Sequence, residues 1–139
     1  MREAGPSHRR HVDLLAILWG LWGALAALVG VSLLLLAAGA LVWVLGPDRA
    51  AGTFGAGLFA AVFALTGGFA LLWGGVHVWT GMLVRRRVPL GRVLSLGLAV
   101  VNLVVLPFGT ALGVYALWVL LPIEGRRLFE AQPAAPAPR

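Results

Sequence analysis

A chain of 139 residues is ordinary for one domain, but 60% hydrophobic against 12% charged residues lies far from the balance of a soluble globular protein. Cysteine is absent, which excludes disulfides, thiolate metal sites and thiol nucleophiles. The net charge of +6 comes from Arg without a single Lys. Because the arginines flank long uncharged runs, they read as membrane-topology signals, and no nucleic-acid partner is expected.

Residues 1–13 form a basic N-terminal segment, expected to be flexible and cytoplasmic. Leu14 to Leu45 then runs without a charge. At 1.5 Å per residue this is about 48 Å, more than the roughly 30 Å hydrocarbon core requires. It is also far longer than the apolar part of a signal peptide, so it reads as an uncleaved first span. A second uncharged run, Phe54 to Val84, carries Gly67-Gly68 and Gly74-Gly75 and stops at Arg85-Arg86-Arg87. After RRRVPLGR a third run extends from Val93 to Leu106, Pro107-Phe108-Gly109 marks a turn, and a fourth continues to Leu121 before Pro122.

With flanks included, the expected spans are 14–45, 54–84, 90–106 and 107–122 within a transmembrane domain 14–123, the last two forming a short hairpin. That hairpin either crosses a locally thinned bilayer or re-enters on one side. Residues 124–139 form a cytoplasmic tail, first the basic amphipathic IEGRRLFE and then the Pro/Ala-rich QPAAPAPR, expected to be disordered. The expected fold class is therefore an all-α integral membrane protein with four transmembrane helices.

Charge placement points the same way. All arginines but Arg49 fall in the N-terminal segment, between Arg85 and Arg92, or from Arg126 onward, and Asp48 neutralises Arg49. Four spans put those three places on one side, giving a multi-pass protein with both termini cytoplasmic. Trp19, Trp22, Trp79 and Trp118 would lie toward the inner face and Trp43 near the outer headgroups, with Trp73 packed inside the bundle. Arg-only basicity with abundant Ala, Gly, Leu and Val favours, by compositional association, a bacterial inner (plasma) membrane.

Among polar positions, His77 is the one ionisable residue clearly inside an apolar run. It lacks a second intramembrane His to complete a haem site, so no cofactor or metal is expected, and His77, Asn102, Thr110 and Tyr115 are read as interhelical polar contacts. Gly109 and Gly113 are expected to pack the hairpin closely, as are small pairs four apart such as Gly20/Ala24, Gly23/Ala27, Ala26/Gly30 and Gly57/Ala61. Arg85, Arg86, Arg87 and Arg92 are expected to contact lipid headgroups, anionic ones among them. No carboxylate lies within a span to act as a buried acid or base, and His8, His11 and Asp13 form the one titratable cluster, so an enzyme is not expected.

Leu90-Gly91-Arg92, Asn102-Leu103, LPFGTALGVYALWVLL at 106–121 and Glu124 to Phe129 together resemble a group of small, uncharacterised bacterial four-helix membrane proteins. The resemblance covers the last third of the chain and implies a fold but no activity. The functional expectation is a non-enzymatic helical bundle that forms a homo-oligomer or supports a membrane partner protein. The alternative is a small oligomeric pore or transporter lined by Asn102, Thr110 and His77, which would require a polar stripe that no span displays.

Overall fold

The computed structural model describes residues 6–46, 53–105 and 107–130, and all regular structure among them is helical. In chain order the elements are α1 (Pro6–Leu45), α2 (Thr53–Arg85), α3 (Pro89–Asn102), α4 (Phe108–Leu120) and α5 (Ile123–Arg127). Prolines punctuate them. Pro6 opens α1 and Pro89 opens α3, in first turns that need no donated N–H. Pro107 is the N-cap of α4, and Pro122 is the N-cap of α5, just beyond the end of α4.

α2 ends in a Schellman motif: Val88 N–H donates to Leu83 C=O at 3.2 Å and Arg87 N–H to Val84 C=O at 3.0 Å. The motif needs a left-handed residue between them, and Arg87 takes it with φ 55°.

Residues 6–13, expected to be a flexible segment, are instead the first two turns of α1. They are ordered because one face of them, including the fully buried Val12, packs into the structure. The expected disordered tail lies outside the described residues from 131 onward, and the first inter-helix loop lies outside them at 47–52.

Among the described residues two helices, not four, are long and apolar enough to cross a membrane: Ser7–Leu45 and Phe54–Arg85. α3 has 14 residues and α4 has 13. Each is about 20 Å long, against a hydrocarbon core of roughly 30 Å. The expected third span loses its end because α3 stops at Asn102 rather than Leu106, and Pro122 stops the fourth. The expectation of four transmembrane helices, and with it the four-span inner-membrane topology with both termini cytoplasmic, is thereby corrected to an all-α five-helix domain with two candidate membrane-crossing helices.

The chain divides into two compact units, Gly20–Trp79 and Met1–Trp19 with Thr80–Arg139. In the unit Gly20–Trp79, parts of α1 and α2 cross through small residues. A methyl built on Gly23 would lie 2.6 Å from the Gly74 carbonyl oxygen, and one on Gly74 would lie 2.5 Å from that of Gly23. Gly30 and Gly67 repeat the reciprocal approach at 2.8 Å. The same antiparallel register sets Ala37 opposite Ala60, both 7% exposed. The small residues thus recur every seven positions on each helix, the repeat that keeps one seam facing its partner, and the backbones meet without intervening side chains.

In the other unit α3 and α4 form an antiparallel hairpin. α3 buries Gly91, Ser95, Leu98, Ala99 and Asn102 on one face, and α4 buries Gly109, Leu112, Gly113, Ala116, Val119 and Leu120.

Candidate functional site

Two polar side chains of the unit Met1–Trp19 with Thr80–Arg139, His8 and Arg92, meet at the end of α4. Pro122 has no N–H to offer the Trp118 carbonyl, so the helical ladder of α4 closes with Leu121 N–H to Leu117 C=O at 3.0 Å. The next two carbonyls are taken by side chains from far along the chain. His8 Nε2 donates to the Val119 carbonyl at 3.1 Å and Arg92 Nε to the Leu120 carbonyl at 3.3 Å. Since a carbonyl only accepts, the His8 proton is assigned to Nε2. Donors at this end also complement the negative pole of the helix. Gly125 of α5 completes the arrangement, because a methyl there would collide with the Val119 carbonyl and lie 3.2 Å from His8 Nε2.

One turn along α1, His11 Nδ1 lies 3.0 Å from the Tyr115 hydroxyl. Its ring meets Trp118 edge-on, with centroids 5.3 Å apart and planes at 86°. Deeper in the same unit, the buried Trp19 indole donates to the Ser95 hydroxyl at 2.7 Å. Asp13 and Arg87 form an exposed ion pair at 3.5 Å, and Arg126 pairs with Glu130 at 2.9 Å within one helical turn. Arg85 and Arg86, at the end of α2, are exposed.

The residues singled out from the sequence fall into distinct environments. Tyr115 makes a contact between helices, to His11 of α1. The Thr110 hydroxyl donates to the Leu103 carbonyl across the α3–α4 turn at 2.9 Å, and the buried Asn102 amide donates to Leu98 of its own helix at 2.9 Å. His77, fully buried in the unit Gly20–Trp79, has Nδ1 2.8 Å from the Trp73 carbonyl, one turn earlier on α2, and its ring leans on Trp73 at 4.7 Å. Gly113 lies against Ala99, where a methyl would come 2.5 Å from the carbonyl oxygen, and Gly109 lies against Val105 and the Asn102 carbonyl. Of the four arginines, Arg85 and Arg86 face outward, Arg87 pairs with Asp13 and Arg92 caps α4.

Sequence reasoning set His8 and His11 aside as a cluster with Asp13 on a flexible segment, and did not single out Gly125. The signal was Pro122, which orphans carbonyls that something must satisfy. Among the described residues no group of three or more His, Asp or Glu is placed to hold a metal ion. A shallow groove of about 300 Å³ in the unit Gly20–Trp79, between Trp22, Val29, Phe69 and Trp73, is lined by apolar and aromatic side chains. No family model, curated protein or solved structure matches the chain.

Proposed function

We propose that this is a non-enzymatic membrane protein, anchored by α1 and α2, whose role is to associate, with further copies of itself or with a membrane partner. The observation that carries the reading is the outward turn of its apolar surface. The most apolar eighteen-residue stretch of each long helix is only 11% buried within the protein, whereas a core helix of a soluble protein would be mostly covered. Leu28, Leu35, Val42, Phe59, Leu65 and Leu72 are each more than half exposed. In water that surface would aggregate; in a bilayer it is solvated by acyl chains.

Self-association is supported by the glycines that the helix crossing leaves unused. Gly57, Gly68 and Gly75 share one face of α2 and have open space where a side chain would stand. Such a face admits close approach of another helix. The exposed Arg85 and Arg86 support contact with anionic headgroups, each worth on the order of 1 kcal/mol near the surface. The pore reading has less behind it, since the described polar side chains of the long helices are scattered, Ser32 being turned back onto the Leu28 carbonyl.

The test has two parts. Reconstituted protein should stay with liposomes through an alkaline carbonate wash; release into the supernatant would refute anchoring. In mild detergent its protein mass should be a multiple of 14.6 kDa. Gly68→Ile, whose Cβ has open space within 4 Å, should reduce that mass to one copy without unfolding. A parent already monomeric that retains no partner from native membranes would refute the associative role.

A further inference from the structure

The long helices leave α3 and α4 unexplained, since each is too short to cross a bilayer and both carry apolar side chains outward. Val93, Val100 and Val104 of α3 and its turn are 64%, 57% and 82% exposed, and Phe108, Val114 and Leu121 of α4 and its C-cap are 71%, 55% and 62% exposed. These positions are graded along the hairpin. Its open end carries Arg92, Glu124, Arg126 and Arg127; Tyr115 and the exposed Trp118 come next; the turn end, Leu103 to Gly109, has no charged residue and no Trp or Tyr. A full span has polar anchors at both ends, whereas this hairpin has them at one.

Several of the turn's backbone groups are met inside the protein. Leu103, Val104 and Val105 donate their N–H groups to Ala99, Val101 and Asn102 carbonyls, Thr110 N–H reaches the Val105 carbonyl, and Ala111 N–H reaches that of Pro107. Pro107 has no N–H to satisfy, and the Thr110 hydroxyl covers the Leu103 carbonyl. Non-helical backbone is tolerated at membrane depth only when its polar groups are met inside the protein.

We propose that the α3–α4 hairpin inserts, turn first, into the hydrocarbon of a single leaflet and does not cross, entering from the side that carries Arg85 and Arg92. From Arg92 to Asn102, where α3 ends, the helical rise is about 15 Å, enough to bring the turn near the bilayer midplane and too little to reach the far headgroups. The arginines at the open end then meet the headgroups and favour an anionic leaflet. The inference rests on the two-helix anchor proposed above.

The natural absence of cysteine permits a direct test in the full chain. Single variants Val104→Cys, Phe108→Cys, Leu35→Cys, Arg86→Cys and Glu130→Cys are labelled with an environment-sensitive fluorophore and reconstituted into phosphatidylcholine–phosphatidylglycerol vesicles. Quenching is read from aqueous iodide and from lipids carrying nitroxides at shallow or deep acyl positions. At 104 and 108 the deep nitroxide should quench at least twofold more than the shallow one, with no response to iodide; labels at 86 and 130 should respond to iodide. Iodide quenching at 104 and 108, or stronger quenching there by the shallow nitroxide, overturns the inference while Leu35 stays protected. Protection at both positions from iodide and nitroxides alike overturns it too, by showing that protein covers the turn. Should the label at position 35 also meet iodide, the anchor and the insertion fall together.

Discussion

A methyl group on Gly30 would stand 2.8 Å from the Gly67 carbonyl oxygen and 2.8 Å from the Leu71 backbone nitrogen, where ordinary contact begins at 3.4 Å. Both obstacles are backbone, so no rotamer change relieves them, and the two helices of this unit must part by about 0.6 Å. A gap of that size forfeits roughly a quarter to a half of each dispersion contact along the seam, and overpacking of this kind costs about 1–3 kcal/mol. Opposing it, Ala is the better helix former by about 1 kcal/mol. Gly39→Ala isolates the packing term, because it carries the same propensity gain while its methyl meets nothing within 4 Å. Unfolding in mixed micelles, followed by tryptophan fluorescence, should therefore place Gly30→Ala about 1–3 kcal/mol below Gly39→Ala. Adding Gly67→Ala to Gly30→Ala should cost less than the sum of the two, since the helices have already separated. Equal stability of Gly30→Ala and Gly39→Ala would refute the close seam.

Further outcomes follow from the α4 cap, the α2 terminus and the arginines. His8→Leu leaves the Val119 carbonyl without its donor and should lose about 1–3 kcal/mol in the same assay, while His8→Gln should recover part of it. Gly125→Ala should act like His8→Leu and add little to it, which a double-mutant cycle reads directly. Arg87→Gly gives up an exposed ion pair worth under about 1 kcal/mol but relieves a left-handed residue, which costs an L-side chain about 1–2 kcal/mol. It should match or exceed the parent, and Arg87→Val should fall below it. Arg85→Gln with Arg86→Gln should lower co-purifying anionic lipid, measured by mass spectrometry, and unchanged lipid content would remove headgroup contact from their role.

The two long helices were legible because no charge in Leu14–Leu45 or Phe54–Val84 interrupts them, while what separates them from core helices, their low burial, is visible only in the structure. The span count was misjudged where flanks were counted as helix. Asn102 ends α3 with the turn beginning at Leu103, so the apolar Val104 and Val105 lengthen the run without lengthening the helix. The helix seam was sought among small residues four apart, and one such pair, Gly23/Ala27, does receive Gly74; along its length the crossing follows positions seven apart, Gly23, Gly30 and Ala37 against Gly74, Gly67 and Ala60. Recurrence of Gly-Gly at 67–68 and 74–75 carried that period in plain view. The His8 contact had no local signature, since its carbonyl partner lies 111 residues away. Asn102, read as an interhelical contact, donates its amide to Leu98 of its own helix, and Ala99 is the α3 residue that lies against Gly113.

The most direct measurement of the account is the number of crossings between the start of α2's apolar run and its end. Single-cysteine variants Gly46→Cys and Arg86→Cys, in sealed vesicles of uniform orientation, are treated with a membrane-impermeant maleimide from outside, before and after permeabilisation. One crossing by α2 predicts that the two positions label from opposite faces: one reacts at once and the other only after the vesicles are opened. Reaction of both from the same face in intact vesicles would contradict the two-helix anchor.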